Sequence, residues 1–377
     1  MEAHAESAGT QEVDCSVLVP VLNEAPYIEA SVAAMRRQRF PGRLEFLFAD
    51  GGSTDRTREI LERLAHEDSR IRVVDNPKGT VSSGLNVALS HARGRWALRM
   101  DAHTVYPEDY ALLGVQRLAR GDTRWVSGPQ VPKGRGPVSR AVALALSGAT
   151  GRGGSRKWGV PDARDEGEFE LDTGVFAGVW ERATLLEYGG WDERWPRNSD
   201  SEMAARFLAA GERLICVPAM AAEYVPRDSL RGLWRQYLGY GEFRARTYKR
   251  HPHSMRASHL LAPAVVAAVG GSIVAPSSLR RVARRCLGVY GVVLVGAGVR
   301  SLQAADPPGD ALLVPPALLV MHLAHGLGQI RGWIKYGPPI AALATVSGCE
   351  ERVGSQRSTN DRVWAPSLMR IEVVSDS

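Results

Sequence analysis

The sequence predicts an α/β fold: a mostly parallel sheet with helices on both faces, followed by C-terminal membrane-associated helices. Three observations carry this expectation. Short apolar runs alternate with helix-patterned segments through roughly the first hundred residues. Several of those runs end on an acidic or amide side chain. Three long stretches after residue 256 contain no Asp, Glu, Lys or Arg.

The elements follow in order. Ser16 to Val21 is an apolar run that reads as a buried strand, and Pro26 opens a helix to about Arg37 whose inner face carries Ile28, Val32 and Met35. Leu44 to Ala49 is a second strand, ended by Asp50-Gly51-Gly52; Ser53 or Thr54 is the expected cap of the next helix. Ile71 to Val74 is a third strand, Ser82 to Ala92 a third helix, and Trp96 to Met100 a fourth strand leading into Asp101. Strands spaced by helices in this way make βαβ units, whose ligands sit beyond the carboxyl ends of the strands. Gly148 to Glu170 is rich in Gly and charge and is expected to be a mobile loop over the site.

With 377 residues, 44% hydrophobic and 23% charged, the chain has material for a core, which excludes a disordered chain, a collagen-like repeat and a small disulfide scaffold. Its net charge is 47 − 41 = +6, and only five of the basic residues are Lys, a balance suited to anionic partners such as phosphates or acidic lipid. Cys15, Cys216, Cys286 and Cys349 are scattered, without zinc spacing, as expected of a reduced compartment. The polar first 14 residues lack an apolar h-region, so no secretory signal is expected.

From Leu230 to Arg250, Trp234, Tyr237, Tyr240, Phe243 and Tyr248 interleave with six basic residues, the pattern of a helix at a membrane surface; a solvated helix with a buried aromatic stripe has the same pattern. The apolar stretches 257–279, 286–299 and 311–330 decide for the membrane. Arg280, Arg281, Arg284 and Arg285 should stay cytoplasmic, like the basic flank before Ala257. This makes 257–279, interrupted by Pro263, Gly270-Gly271 and Pro276, a re-entrant or interfacial hairpin. The other two stretches would cross the membrane as a hairpin around the acidic loop Asp306–Asp310; three full spans are the alternative. The expected organisation is a disordered N-terminus (1–14), an α/β domain (15–227), amphipathic interfacial helices (228–256), membrane-anchoring helices (257–335) and a flexible tail (336–377).

The chemistry gathers at one sheet edge. Pro20…Asn23-Glu24, Asp50-Gly51-Gly52-Ser53-Thr54-Asp55 and Asp101-Ala102-His103 each follow a strand. A nucleotide needs this arrangement: a carboxylate facing a base N–H, backbone along the ribose, and a metal on the diphosphate. Asp101 and His103 can bind one divalent cation between them, Mn2+ suiting the His better than Mg2+. Each motif alone is equally a good turn or cap; three in register are not.

These blocks, with Lys78-Gly79…Gly84-Leu85-Asn86, resemble the inverting family 2 glycosyltransferases of GT-A fold. Asp172 to Gly178, Gly189-Gly190-Trp191-Asp192-Glu193, Asn198-Ser199-Asp200-Ser201-Glu202 and Tyr224 to Leu230 with Gln236-Tyr237…Tyr240-Gly241 narrow the likeness to the succinoglycan-type exopolysaccharide glucosyltransferases. The resemblance spans roughly residues 15–252. It implies that Pro20, Glu24 and Asp50 line the nucleoside pocket, with Lys78 and Gly84 near the nucleotide, Asp101 and His103 on the metal, and Asp200 as catalytic base. The chain departs from the family in carrying Ser199 before Asp200, where relatives often have Glu, and His103 where a second Asp is commoner. The implied reaction is a single displacement in which Asp200 deprotonates a sugar hydroxyl, the cation neutralises the leaving UDP, and the anomeric centre inverts. Asp200 is otherwise an N-cap for a helix from Ser201 to Ala210.

The expected activity is hexosyl transfer, of glucose as the resemblance has it, from a UDP-sugar to a lipid-linked saccharide at the cytoplasmic leaflet of the cell membrane. Transfer to polyprenyl phosphate is the alternative within enzymes. A nucleic-acid-binding protein drawn by the +6 charge and an idle nucleotide-sugar sensor are the other classes; the first is disfavoured because the densest basic segment abuts apolar stretches. Glu202 with Arg206 reads as a helix ion pair. Trp191-Asp192 reads as an acceptor-sugar contact or as packing, and His322 and His325 as lipid-phosphate contacts or helix neighbours.

Overall fold

The computed structural model describes residues 12–153, 155–158, 167–175 and 177–347. The expectations for residues 1–11, for most of the 159–170 half of the Gly-rich loop, and for the tail beyond 347 lie outside these residues.

The first half alternates as the apolar runs dictate: β1 (Cys15–Val21), α1 (Ile28–Arg36), β2 (Leu44–Asp50), α2 (Thr57–Glu67), β3 (Ile71–Asp75), α3 (Val81–His91) and β4 (Trp96–Arg99). Then come β5 (Thr104–Val105), α4 (Tyr110–Leu118), β6 (Trp125–Ser127), β7 (Gln130–Pro132), α5 (Pro137–Ser147), α6 (Ala149–Arg152), β8 (Phe169–Glu170) and β9 (Gly178–Glu181). The domain closes with α7 (Arg182–Glu187), α8 (Ser199–Ala209), β10 (Leu214–Cys216) and β11 (Ala222–Tyr224), and α9 (Leu230–Arg250) leads out of it.

The main sheet has the order β3-β2-β1-β4-β9-β6-β10-β8, and β5-β11-β7 form a second, small sheet. β3, β2, β1 and β4 are all parallel, whereas β9 runs antiparallel between β4 and β6. Both faces are apolar and buried: Val17, Val19, Phe46 and Phe48 face one layer, Leu18, Leu47 and Ala49 the other. That two-sided burial is why β1 and β2 read as continuous apolar runs. The parallel register sets Val21 opposite Asp50 and Asp50 opposite Asp75, so the loops after β1, β2 and β3 open at one edge.

One local expectation changes. Neither Ser53 nor Thr54 caps α2; Asp55 does the equivalent work, its Oδ1 accepting from the Thr57 amide at 3.0 Å and hydroxyl at 2.6 Å. The Ser53 hydroxyl instead donates to Asp50 Oδ1 at 2.6 Å.

The C-terminal region is α10 (Leu261–Val274), α11 (Ser277–Ser301), α12 (Val314–Tyr336) and α13 (Ile340–Val346). Three segments, Ala257–Val274, Ser277–Ser301 and Pro308–Tyr336, are long and apolar enough to cross a membrane. α10 runs unbroken through Pro263 and Gly270-Gly271, so it contains no re-entrant turn; Pro263 falls in the first turn, where its missing N–H costs nothing. At the loop between α11 and α12, Arg140 on α5 donates to Asp310 and ties that loop to the α/β domain. α9 is a single helix packed between that domain and α12: Tyr248 is fully buried, and the Trp195 indole donates to Thr247 Oγ1 at 3.0 Å. Part of the expected tail is the helix α13, whose buried Ala342 packs with Tyr248 and Met255.

Candidate active site

Three loops meet beyond β1, β2 and β3. Asn23 adopts a left-handed conformation (φ 56°) and accepts from the Thr54 amide at 2.8 Å, while its own amide donates to Ser53 Oγ at 3.0 Å. The Gly51 amide closes on Val21 O at 2.9 Å, and Gly51 lies against Gly79, which needs its positive φ of 63°. These contacts fix Asp50, whose side chain is buried and held 3.8 Å from the Arg58 guanidinium. Pro20 pairs with Ala49 in the register below them.

Glu24 stands at the same edge. Its amide donates to Thr57 Oγ1 at 2.8 Å, and its Oε1 is 3.1 Å from His103 Nδ1. That hydrogen bond raises the His103 pKa above its ordinary value against the opposing effect of burial. It also fixes which ring nitrogen faces outward: with Nδ1 on Glu24, Nε2 is presented to a ligand.

The centre is Arg99, which pattern reasoning did not single out. It is the last residue of β4 and its side chain is only 5% exposed. Its Nε and Nη2 donate to the two carboxylate oxygens of Asp101 at 2.9 and 3.2 Å, and its Nη1 donates to Asp200 Oδ1. One guanidinium thereby joins the candidate metal carboxylate to the candidate base. An Arg two residues before an Asp at a strand end was the available signal. The Asp101 amide donates to the Tyr106 hydroxyl at 2.9 Å, fixing the loop from the other side.

Asp200 is not the N-cap of α8. That position belongs to Asn198, in a left-handed conformation (φ 57°), so Asp200 lies inside the first turn with its carboxylate turned to Arg99. Burial raises its pKa, Arg99 pulls it down, and Asp101 pushes it up, for a net rise. Lys157, also missed, reaches this environment: burial lowers its pKa to about 8, Arg244 adds to the shift and Asp200 opposes it.

Asp101 and His103 fit a divalent cation. An imidazole with one nitrogen already oriented and a carboxylate with spare lone pairs are suitable donors. Among the described residues no three His, Cys, Asp or Glu side chains gather to hold an ion unaided, so substrate oxygens would have to complete the shell.

Three of the expected contact residues also make contacts within the protein. Gly84 is buried in α3, and a Cβ there would stand 3.2 Å from Pro20 Cβ and 2.9 Å from Asn76 Nδ2; it lets α3 approach β1. Lys78 extends to Glu193 Oε2 at 2.6 Å and is largely exposed. Trp191 is 1% exposed and set edge-on to Trp180, so of its two readings packing is the one the geometry supports. Glu202 takes Arg206 as expected and also His251 at 3.2 Å.

Comparison with known proteins agrees with this geometry. Residues 16–165 match the model of glycosyl transferase family 2. The succinoglycan biosynthesis protein ExoA of Rhizobium meliloti (strain 1021) is 34% identical over 331 residues, covering 86% of this chain and 96% of its own length. The uncharacterized glycosyltransferase EpsJ of Bacillus subtilis (strain 168) is 36% identical over 81 residues, 22% of this chain and 23% of its own. Among solved structures, the mannosyltransferase PcManGT of Pyrobaculum calidifontis, in complex with GDP-Man and Mn2+, superposes with a TM-score of 0.53 at 20% identity, over 84% of this chain and 88% of its own; this likeness is one of fold. A GT-A sheet that ends in these loops, and a relative matched over nearly its whole length, place this chain in glycosyltransferase family 2.

Proposed function

We propose that the chain transfers a hexose, glucose, from a UDP-sugar to a lipid-linked saccharide at the cytoplasmic face of the membrane, inverting the anomeric centre. The observation that carries this reading is the Arg99 bridge between Asp101 and Asp200. It sets a carboxylate for the diphosphate side and a carboxylate for the acceptor side at one strand end. ExoA's part in succinoglycan biosynthesis supports an exopolysaccharide glycan as product.

Asp50 would face the uracil, and Glu24 and Pro20 would line the nucleoside. Asp101 and His103 would hold the cation, Mn2+ or Mg2+, which when bound supplies charge neutralisation at the leaving diphosphate. Asp200 would take the proton from the attacking hydroxyl. Its raised pKa makes it a better proton acceptor than an ordinary aspartate.

The test is transfer of radiolabelled sugar from UDP-glucose and, in parallel, GDP-mannose. Asp200→Asn is expected to lower turnover by about 10²–10⁴-fold, the usual weight of a general base, with UDP affinity intact. Undiminished transfer would remove Asp200 from the role, and preference for GDP-mannose would overturn the donor.

A further inference from the structure

Between the Asp101 and Asp200 loops the structure builds an aromatic wall. Tyr224, at the end of β11, pairs in register with Thr104, the residue after His103. Tyr240, on α9, is tied to the other loop: the Asn198 side-chain amide donates to Tyr240 O at 2.7 Å, two residues before Asp200. Gln236 joins the two rings, its Nε2 donating to the Tyr224 hydroxyl at 3.1 Å and the Tyr240 hydroxyl at 3.0 Å. Trp158 extends the wall beyond Tyr224, with ring centroids 5.9 Å apart, and Tyr237 extends it beyond Tyr240 at 5.7 Å. All five residues are half-buried.

We infer that this wall is the subsite for the terminal pyranose of the acceptor saccharide. The inference rests on the glycosyltransferase reading proposed above and specifies where its second substrate binds. A sugar bound here lies beside Asp200 and across from the diphosphate side, where an attacking hydroxyl has to be. A pyranose presents a C–H face that packs on aromatic rings and an edge of hydroxyls that needs fixed polar partners. The wall offers both: Trp158 and Tyr240 supply the faces, while Gln236 keeps Oε1 as an acceptor. The Tyr240 hydroxyl, accepting from Gln236, keeps its own proton to donate. Rings that merely anchored α9 to the domain would not need an amide clamped between two hydroxyls at the mouth of the site.

The test uses the full chain in lipid nanodiscs. UDP-glucose is the donor, and the acceptor is a chloroform–methanol extract of polyisoprenyl-diphosphate saccharides dosed by diphosphate. Tyr240→Ala and Trp158→Ala are expected to raise the acceptor half-saturation about tenfold, and Tyr240→Phe about threefold, the weight of one lost stacking face or hydrogen bond. The UDP-glucose KM and calorimetric UDP affinity should not move. An unchanged acceptor half-saturation, or a fall in kcat with both half-saturations constant, overturns the subsite. If the alanine variants lose UDP binding, the structure around them has failed, and Tyr240→Phe and Gln236→Glu decide by the same split. Wild-type chain that binds UDP yet transfers only to polyisoprenyl phosphate overturns the proposed acceptor, and the subsite with it. Transfer to the extract with unaltered variant kinetics overturns the subsite alone.

Discussion

Arg99 acts on the charge state of the proposed base, Asp200. Its guanidinium offsets part of the burial that raises Asp200, and a base works only while ionised. Because the folded pKa is raised, activity should fall as pH drops through a value above the ordinary ~3.9 of aspartate. Removing the guanidinium lifts that value further: in Arg99→Met the acid limb of kcat/KM should move to higher pH. Arg99→Lys should keep most of the shift but lose the two-carboxylate fork, lowering kcat with the limb nearly in place. A pH–rate profile reads both, and an unmoved limb in Arg99→Met would show that the bridge does not act on the base. Asp50, Asp101 and Asp200 were legible because motif types announce carboxylates at strand ends. Their common partner was not, since Arg99 and Asp200 stand 101 positions apart and only the sheet brings them together.

Elements meet through contacts that depend on single residues. Glu45 on β2 is 2% exposed and accepts from Ser16 Oγ at 2.7 Å, from the Arg93 amide at 2.8 Å and from both Arg93 and Arg72 guanidinium groups. Burial pushes its pKa up, but the bonds from Ser16 and Arg93 outweigh it and hold the carboxyl below the ordinary value. A depressed folded pKa contributes stability that is fully present above the unfolded value of ~4.3 and is lost as pH falls through the folded one. Glu45→Gln should therefore cost about 1–3 kcal/mol at pH 7, and the gap to wild type in urea melts should close below about pH 4. α9 and α12 meet through glycine: a Cβ on Gly241 would lie 2.1 Å from His325 O, and one on Gly328 2.2 Å from Leu238 O. Backbone cannot yield, so Gly241→Val or Gly328→Val should lower thermal stability by about 1–3 kcal/mol or more, read as a reduced melting temperature in detergent. The strands and first helices were legible from periodicity alone. The α9–α12 pairing was not, because a basic aromatic helix suits lipid and protein equally.

At the scale of the whole molecule, both ends of α12 are tied to what lies above them. Its leading loop is held by Arg140–Asp310, and its last residue, Tyr336, accepts from Lys249 at the end of α9. Glu242 with Arg331 and Lys335 joins the two helices between those points. α9 itself is fastened along its length to the catalytic domain, by Asn198 to Tyr240 O and by Arg250 to Asp192. With 23 residues, α12 is about 35 Å long and lies alongside that domain. A perpendicular crossing would carry α9 and its arginines into hydrocarbon, which is costly. α10 and α11 offer an apolar surface to lipid, where Ile273, Val274, Val289, Val292 and Val299 are exposed beside Arg281, Arg284 and Arg285. Ser278 at the start of α11 and Gly309 beyond its end should then face the same side, the cytoplasm, as the basic cluster requires. In a Cys286→Ser/Cys349→Ser background, where Cys15 and Cys216 are buried, Ser278→Cys and Gly309→Cys should both react with a membrane-impermeant maleimide in inside-out vesicles. Neither should react in intact cells. Labelling of the two from opposite sides would show that α11 crosses the bilayer and that the Arg140–Asp310 contact does not hold in the membrane.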